Sequence, residues 1–207
     1  NKCGALIKVK NRIITVRGVE ELKLQDYKVI PDRIEAGSYI LATMATKGRL
    51  KLNNFNPKDL ALPLKLYKEM GLKIKKLSNS SYEIYCKKLK SIKKISTKEF
   101  PGYPTDLQAQ LIATQLKSGL KSKVVENIFE NRFIHIPELR RFGANLSIKG
   151  NTVTIDKTSN LLGAEVMATD IRASFSLIIA AMMSKGTTVI NRIYHLDRGY
   201  EDFDLKL

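Results

Sequence analysis

The chain has 207 residues, 43% hydrophobic and 27% charged, a globular composition that at this length buries well over half of its unfolded surface without disulfides or a structural metal. Its 36 Lys+Arg against 20 Asp+Glu give a formal charge of +16, which excludes an acidic or disordered-tail class and raises the question of an anionic partner. The basic residues are mostly scattered Lys, and the one dense run, from Lys87 to Lys98, contains no aromatic residue; a nucleic-acid surface concentrates both on one face, so no nucleic-acid partner is expected.

In chain order, Gly4 to Ile7 leads into strands at the start of the chain. Asp32 to Gly48 then reads as a helix: it opens on Asp after Pro31, runs through an Ala-containing apolar stretch and closes on Gly, the residues that cap helix ends. A β-like run from Arg49 to Asn54 follows, then a second helix from Pro57 to Met70, then Gly71-Leu72-Lys73-Ile74 leading into paired strands. The same order recurs. A helix spans Asp106 to Gly119, a β-run Lys123 to Asn127 and a helix Ile136 to Phe142, after which Asn145 to Lys149 and Thr152 to Ile155 pair across Gly150-Asn151, a tight hairpin turn. It recurs again as a helix from Asp170 to Gly186, a β-run from Thr187 to Asn191 and a helix begun at Gly199.

This self-similarity predicts one lobe of three βαβαββ-type units, at approximately 1–71, 72–143 and 144–207. The chain starts on a helix end and stops inside the equivalent helix of its third unit. It is therefore expected to be a piece of a longer polypeptide, or to have termini that complete each other, with Asn1 to Lys10 adding the strand that the third unit lacks. Asp170 to Lys185 has almost no polar face, so that helix is buried all round. Three such helices are buried together only by packing on one another, which predicts an α/β fold with helices inside and mixed sheets outside.

Cys3 and Cys86 stand far apart with no CxxC spacing, and only His135 and His195 could join them. No zinc site follows. Sparse cysteines without a signal segment point to a reducing cytosol. The longest apolar stretch, Phe175 to Met183, is half of a membrane span, and no membrane partner is expected.

Three like helices of one polarity bring their N-termini together, and unpaired N–H groups with a partial positive charge suit an anion. Those ends carry Asp32, Asp106, Asp170, Arg33 and Arg172. An Asp in such a place is most simply a cap. Asp106 is the exception, because two prolines and a glycine stiffen Phe100 to Thr105 and Gln108 and Gln110 follow it, an elaborate setting for a cap. Arg132, between Phe129 and Phe133, is equally well a rim cation or a buried bidentate anion ligand. His195 to Glu201 reads as a capped helix start with Arg198 paired to Asp197 or Glu201, or as a functional turn.

The strings PDRIEAGSYILA from Pro31, FPGYPTDLQAQ from Phe100, ENIFENRFIHIPELRRFGA from Glu126, ATDIRAS from Ala168 and GTTVINRIYHLDRGYE from Gly186 resemble the enolpyruvyl transferase family, in its UDP-N-acetylglucosamine 1-carboxyvinyltransferase branch. The resemblance covers almost the whole chain and only the C-terminal half of such an enzyme. It implies one of two lobes, each an inside-out α/β barrel, closing on UDP-N-acetylglucosamine and phosphoenolpyruvate, with no metal and no cofactor. It also implies that the N-terminal lobe, a required partner, holds the acid that protonates phosphoenolpyruvate, usually a loop cysteine, with a Lys-Asn pair and further arginines. Neither Cys3 nor Cys86 sits in a matching loop, so this chain is expected to be inactive alone. Carried over by position, the resemblance makes Asp106 the ligand of the sugar 3-hydroxyl and general base, and Ile128 an apolar contact of the UDP-sugar. Arg132 and Arg198 become ligands of the phosphoenolpyruvate phosphate and carboxylate, and Asp170 and Arg172 a positioning pair at the cleft. The alternatives are the shikimate-pathway enolpyruvyl transferase and a noncatalytic anion- or RNA-binding module.

Overall fold

In the computed structural model, which describes residues 1–206, the chain falls into two units, Asn1–Pro31 and Asp32–Leu207. In the first, β1 (Leu6–Lys10) and β2 (Ile13–Arg17) form an antiparallel hairpin. Its two-residue turn places Asn11 and Arg12 at φ 50° and 64°, the left-handed pair that matches strand twist.

The second unit opens with α1 (Arg33–Thr46) and β3 (Arg49–Leu52). A 3-10 turn at Pro57–Leu60 runs into α2 (Ala61–Glu69), and β4 (Leu72–Lys76) and β5 (Tyr82–Cys86) follow. Next come β6 (Lys94–Ser96), a 3-10 turn at Thr105–Leu107, α3 (Gln108–Gln115) and β7 (Ser122–Val125). Then α4 (Ile136–Arg141), β8 (Leu146–Lys149) and β9 (Thr152–Ile155) lead to β10 (Glu165–Met167). The chain continues through α5 (Ile171–Met183), β11 (Val189–Asn191), α6 (Tyr194–Asp197) and α7 (Phe203–Lys206).

The strands form a three-stranded sheet β3-β5-β4, a four-stranded sheet β6-β7-β9-β8 and the parallel pair β10-β11. The β8–β9 hairpin closes over Gly150-Asn151 with Lys149 opposite Thr152. Gly150 takes φ +56° there, as such a turn requires. Among the described residues β1 pairs with β2 and β10 pairs with β11, so the strand expected from Asn1 to Lys10 for the third unit is found in the first hairpin. A two-residue turn closes at far lower entropic cost than a pairing between chain ends.

Helices α1, α3 and α5 pack against one another. Ile40, Leu41 and Met44 of α1, Leu111, Ile112 and Ala113 of α3, and Phe175, Leu177 and Ile179 of α5 are all fully buried. Buried Ser and Thr hydroxyls bond back to their own helices: Ser38 Oγ donates to Ile34 O at 2.9 Å, Thr43 Oγ1 to Tyr39 O at 2.8 Å and Thr114 Oγ1 to Gln110 O at 2.8 Å. Polar atoms so paired do not penalise an all-round buried helix. Several helix ends differ from expectation: α3 covers Gln108–Gln115 rather than Asp106 to Gly119, because a 3-10 turn takes its first residues, and α5 stops at Met183, short of Gly186. The left-handed position after α1 is Lys47, at φ 57°, one residue before Gly48. The last helix begins at Phe203 instead of Gly199, since Asp202 at φ 45° interrupts the helical path.

Candidate functional site

The three aspartates at the helix starts divide into two kinds. Asp32 Oδ1 accepts from Ile34 N at 2.7 Å and Glu35 N at 3.2 Å, and Asp170 Oδ1 accepts from Arg172 N and Ala173 N at 2.8 Å each. Both are N-caps, so leading amides of α1 and α5 bond to the chain's own carboxylates and recognition of an external anion there passes to side-chain cations. Asp106 caps no helix. It lies within the 3-10 turn Thr105–Leu107, whose first residue has no side-chain cap, and it accepts from Arg132 Nη2 at 2.7 Å. Substitution by Ala is therefore expected to cost about 1 kcal/mol more than substitution by Asn at positions 32 and 170, and clearly less than that at 106, where Asn retains only the partly exposed bond from Arg132. Urea unfolding of the six variants checks this; an equal Ala-versus-Asn gap at all three positions would make Asp106 a cap as well.

Asp106, Arg132, Asp170 and Arg172 line one cleft of about 460 Å³ together with Phe129 and Ile134. Ile128 lies in an adjoining recess that shares Phe129 and Arg132. Arg198 lines a recess on the other side, with Asp32, Gly199 and Tyr200, and Arg172 belongs to both that recess and the cleft. The structure thus gathers four of the six candidate residues and sets the other two in adjoining recesses.

Both cleft arginines lie over aromatic rings. The Arg132 guanidinium is 4.8 Å from the Phe129 ring centre, and that of Arg172 is 5.7 Å from the ring centre of Tyr200. Packing against a ring face orients a guanidinium while leaving its edge N–H groups able to donate. Arg132 is between the two sequence readings, with its side chain 25% exposed and held by one carboxylate. Arg198 is exposed and forms no salt bridge among the described residues, so the expected pair with Asp197 or Glu201 is not made. Gly199 fixes its place: a Cβ there would lie 2.3 Å from Ile171 Cγ2, so only glycine lets this turn approach the start of α5.

A buried polar network ties these parts together. Gln110 Nε2 donates to Asp106 O and Ser38 Oγ at 3.0 Å each and to Tyr200 OH at 3.3 Å, while the Tyr200 and Ser38 hydroxyls are 2.9 Å apart. It joins α1, α3 and the segment after Arg198. Burial pushes the Tyr200 phenol up, against the Ser38 bond and the Arg172 charge. His135 lies buried with Nε2 unpartnered among the described residues. Burial pushes it down to about 4, with Asp170 drawing it up and Arg132 pushing it further down.

From the sequence, Glu126, His135 and Phe129 have no role of their own, although they share the segment that bears Arg132. Glu126 was legible in principle, because period-2 alternation along Ser122, Val124 and Glu126 turns all three inward, and all three are buried. Among the described residues no group of three or more His, Cys, Asp or Glu could hold a metal. No described helix is long and apolar enough to cross a membrane.

The family model of EPSP synthase (3-phosphoshikimate 1-carboxyvinyltransferase) matches residues 1–207. The chain belongs to the EPSP synthase family. It is similar to the UDP-N-acetylglucosamine 1-carboxyvinyltransferase of Pelagibacter ubique, with 48% identity over 95% of this chain and 47% of that protein. It is also similar to the protein of that name from Sulfurimonas denitrificans, at 42% identity over 100% of this chain and 50% of that one. Among solved structures, the enolpyruvyl transferase NikO from Streptomyces tendae superposes with a TM-score of 0.85 at 25% identity, over 99% of this chain and 49% of that chain. EPSP synthase from Acinetobacter baumannii shares the fold, with a TM-score of 0.63 at 16% identity over 91% of this chain and 47% of its own. The chain spans about half the length of the curated relatives it matches.

Proposed function

We propose that this chain is the C-terminal half of an enzyme that transfers the enolpyruvyl group of phosphoenolpyruvate to the 3-hydroxyl of UDP-N-acetylglucosamine, a step in peptidoglycan synthesis. The observation that carries the proposal is the side chain of Asp106, which is spared from capping and paired with Arg132 in the cleft that also holds Asp170 and Arg172. Relatives at 42–48% identity bear the name of that activity. In this reading residues 32–206 form an inside-out lobe, with α1, α3 and α5 at its centre and the three sheets around them.

The chemistry follows from the residue types. The sugar hydroxyl adds to C2 of phosphoenolpyruvate while C3 takes a proton, and phosphate then leaves the tetrahedral adduct. Asp106 accepts the hydroxyl proton, a contribution of roughly 10²–10⁴-fold. Arg132 and Arg198 hold the phosphate and carboxylate of phosphoenolpyruvate and offset charge as phosphate departs. Asp170 fixes the first turn of α5 and with it Arg172, whose Nη1 has no partner among the described residues. Ile128 supplies an apolar wall for the UDP-sugar. The proton for C3 comes from the other half of the enzyme.

Joined to that half, the chain is expected to release phosphate only when phosphoenolpyruvate and UDP-N-acetylglucosamine are both present. By itself it is expected to release none. Turnover with shikimate 3-phosphate in place of the UDP-sugar would transfer the protein to the other branch of the family, and turnover by the chain alone would refute the assignment of the acid to the missing half.

A further inference from the structure

We infer that Glu126 is a positioning residue that sets Asp106 and Arg132 against each other; this rests on the transfer reading above. Glu126 is 2% exposed and has no salt bridge among the described residues. A buried carboxylate without a cation is unfavourable unless donors surround it. Here they do. Oε1 accepts from Thr97 Oγ1 at 2.9 Å, Ile128 N at 2.8 Å and Phe129 N at 3.2 Å, and Oε2 accepts from Thr105 Oγ1 at 2.8 Å.

The two oxygens reach different walls of the cleft. Oε2 holds Thr105, whose neighbour in the chain is Asp106. Oε1 holds the turn of Ile128 and Phe129, whose ring lies against Arg132. A single side chain therefore fixes the segment bearing the base, the apolar contact Ile128 and the aromatic seat of the arginine. Thr97 shares Oε1 with those two amides: its Oγ1 donates to that oxygen and accepts from Asn127 N at 2.8 Å, and when it is removed the amides keep their own bonds to Oε1 and Thr105 keeps Oε2. Closing the β7 exit turn alone would need the amide bonds of Oε1. The bond from Oε2 to Thr105 is the feature that a turn-stabilising role leaves unexplained.

The test uses a full-length protein carrying this chain as its C-terminal half, with kcat and KM measured for UDP-N-acetylglucosamine and phosphoenolpyruvate and Tm recorded for each variant. Thr105→Val and Thr97→Val each delete one hydroxyl at nearly constant shape, half-buried at 105 and buried at 97, and Thr97→Val also strands the Asn127 amide, so it is expected to lower Tm at least as much. Thr105→Val is expected to lower kcat by about tenfold or more, as loss of alignment at reacting groups does, while Thr97→Val keeps kcat within about threefold. Glu126→Ala is expected to lower kcat/KM by roughly a hundredfold. Glu126→Gln is expected to recover most of that loss, since its oxygen can serve the Ile128 and Phe129 amides while its NH₂ donates to Thr105 Oγ1. If Thr105→Val and Thr97→Val change kcat alike, or kcat merely follows Tm across the set, Glu126 is a structural residue only. If Glu126→Ala does not fold, the two threonine variants still decide. A wild-type protein that fails to use UDP-N-acetylglucosamine overturns the transfer reading instead, so the two failures are distinct.

Discussion

Asp106→Asn, in a full-length protein carrying this chain, is expected to lower turnover by at least about a hundredfold with little change in Tm. Asn has nearly the shape of Asp, and its Oδ1 can still accept from Arg132, but an amide does not take up the proton of the sugar hydroxyl. Stability is little affected because Asp106 caps no helix and its pair with Arg132 is partly exposed, the Asp side chain by 42%, where such a pair contributes at most about 1 kcal/mol. Asp32→Asn is the control. Its Oδ1 holds the Ile34 and Glu35 amides, a task that Asn performs as well, so that variant should retain most of its turnover. Near-normal kcat in both variants would remove the general-base role from Asp106 and leave it as the partner of Arg132.

The parts of the fold most legible in the sequence are those where one physical demand dominates. Ile171 to Met183 is helical and largely buried because its apolar residues leave almost no polar stripe, and the chain turns at Gly150-Asn151 because Gly150 accepts a left-handed backbone angle. Asp106 stands out from its two counterparts through Pro101, Gly102 and Pro104, and its side chain is indeed not used as a cap. Features that depend on distant partners are not legible in this way. Arg198 has acidic neighbours in sequence at Asp197 and Glu201, yet its place is set by the close approach of Gly199 to Ile171. Lys47 takes the left-handed angle that Gly48 could have taken more cheaply, and the structure gives no reason for it. Glu126 is the instructive omission: strand alternation directs it inward, whereas its charge argues for solvent, and the alternation prevails because Thr97, Thr105 and two amides come from elsewhere to meet it.

Acid should destabilise this protein through His135. Its folded-state value lies at about 4 against an ordinary 6.5, so between those values the unfolded chain binds a proton that the folded chain refuses. Where the unfolded state binds more protons, stability rises with pH. The contribution is thus fully present above about pH 6.5, declines as the pH falls through that window, and is lost below about pH 4. A shift of that size corresponds to roughly 3 kcal/mol for a fully buried group. Burial is the main cause; the Arg132 charge acts in the same direction and Asp170 opposes both. Carboxylates titrate in the lower part of the same range, so the informative quantity is a difference between variants. Urea unfolding from pH 7.5 to 4.5 should show wild-type stability falling more steeply than that of His135→Gln, which cannot take up the proton, by up to about 1.4 kcal/mol per pH unit where the two slopes differ most. Because His135 is the residue before α4 and lies only three residues after Arg132, protonation should also loosen the turn that carries the arginine, with hydrogen exchange at Ile134 and Ile136 rising before global unfolding. Parallel slopes for wild type and His135→Gln would mean that the imidazole is protonated as readily in the folded chain as in the unfolded one.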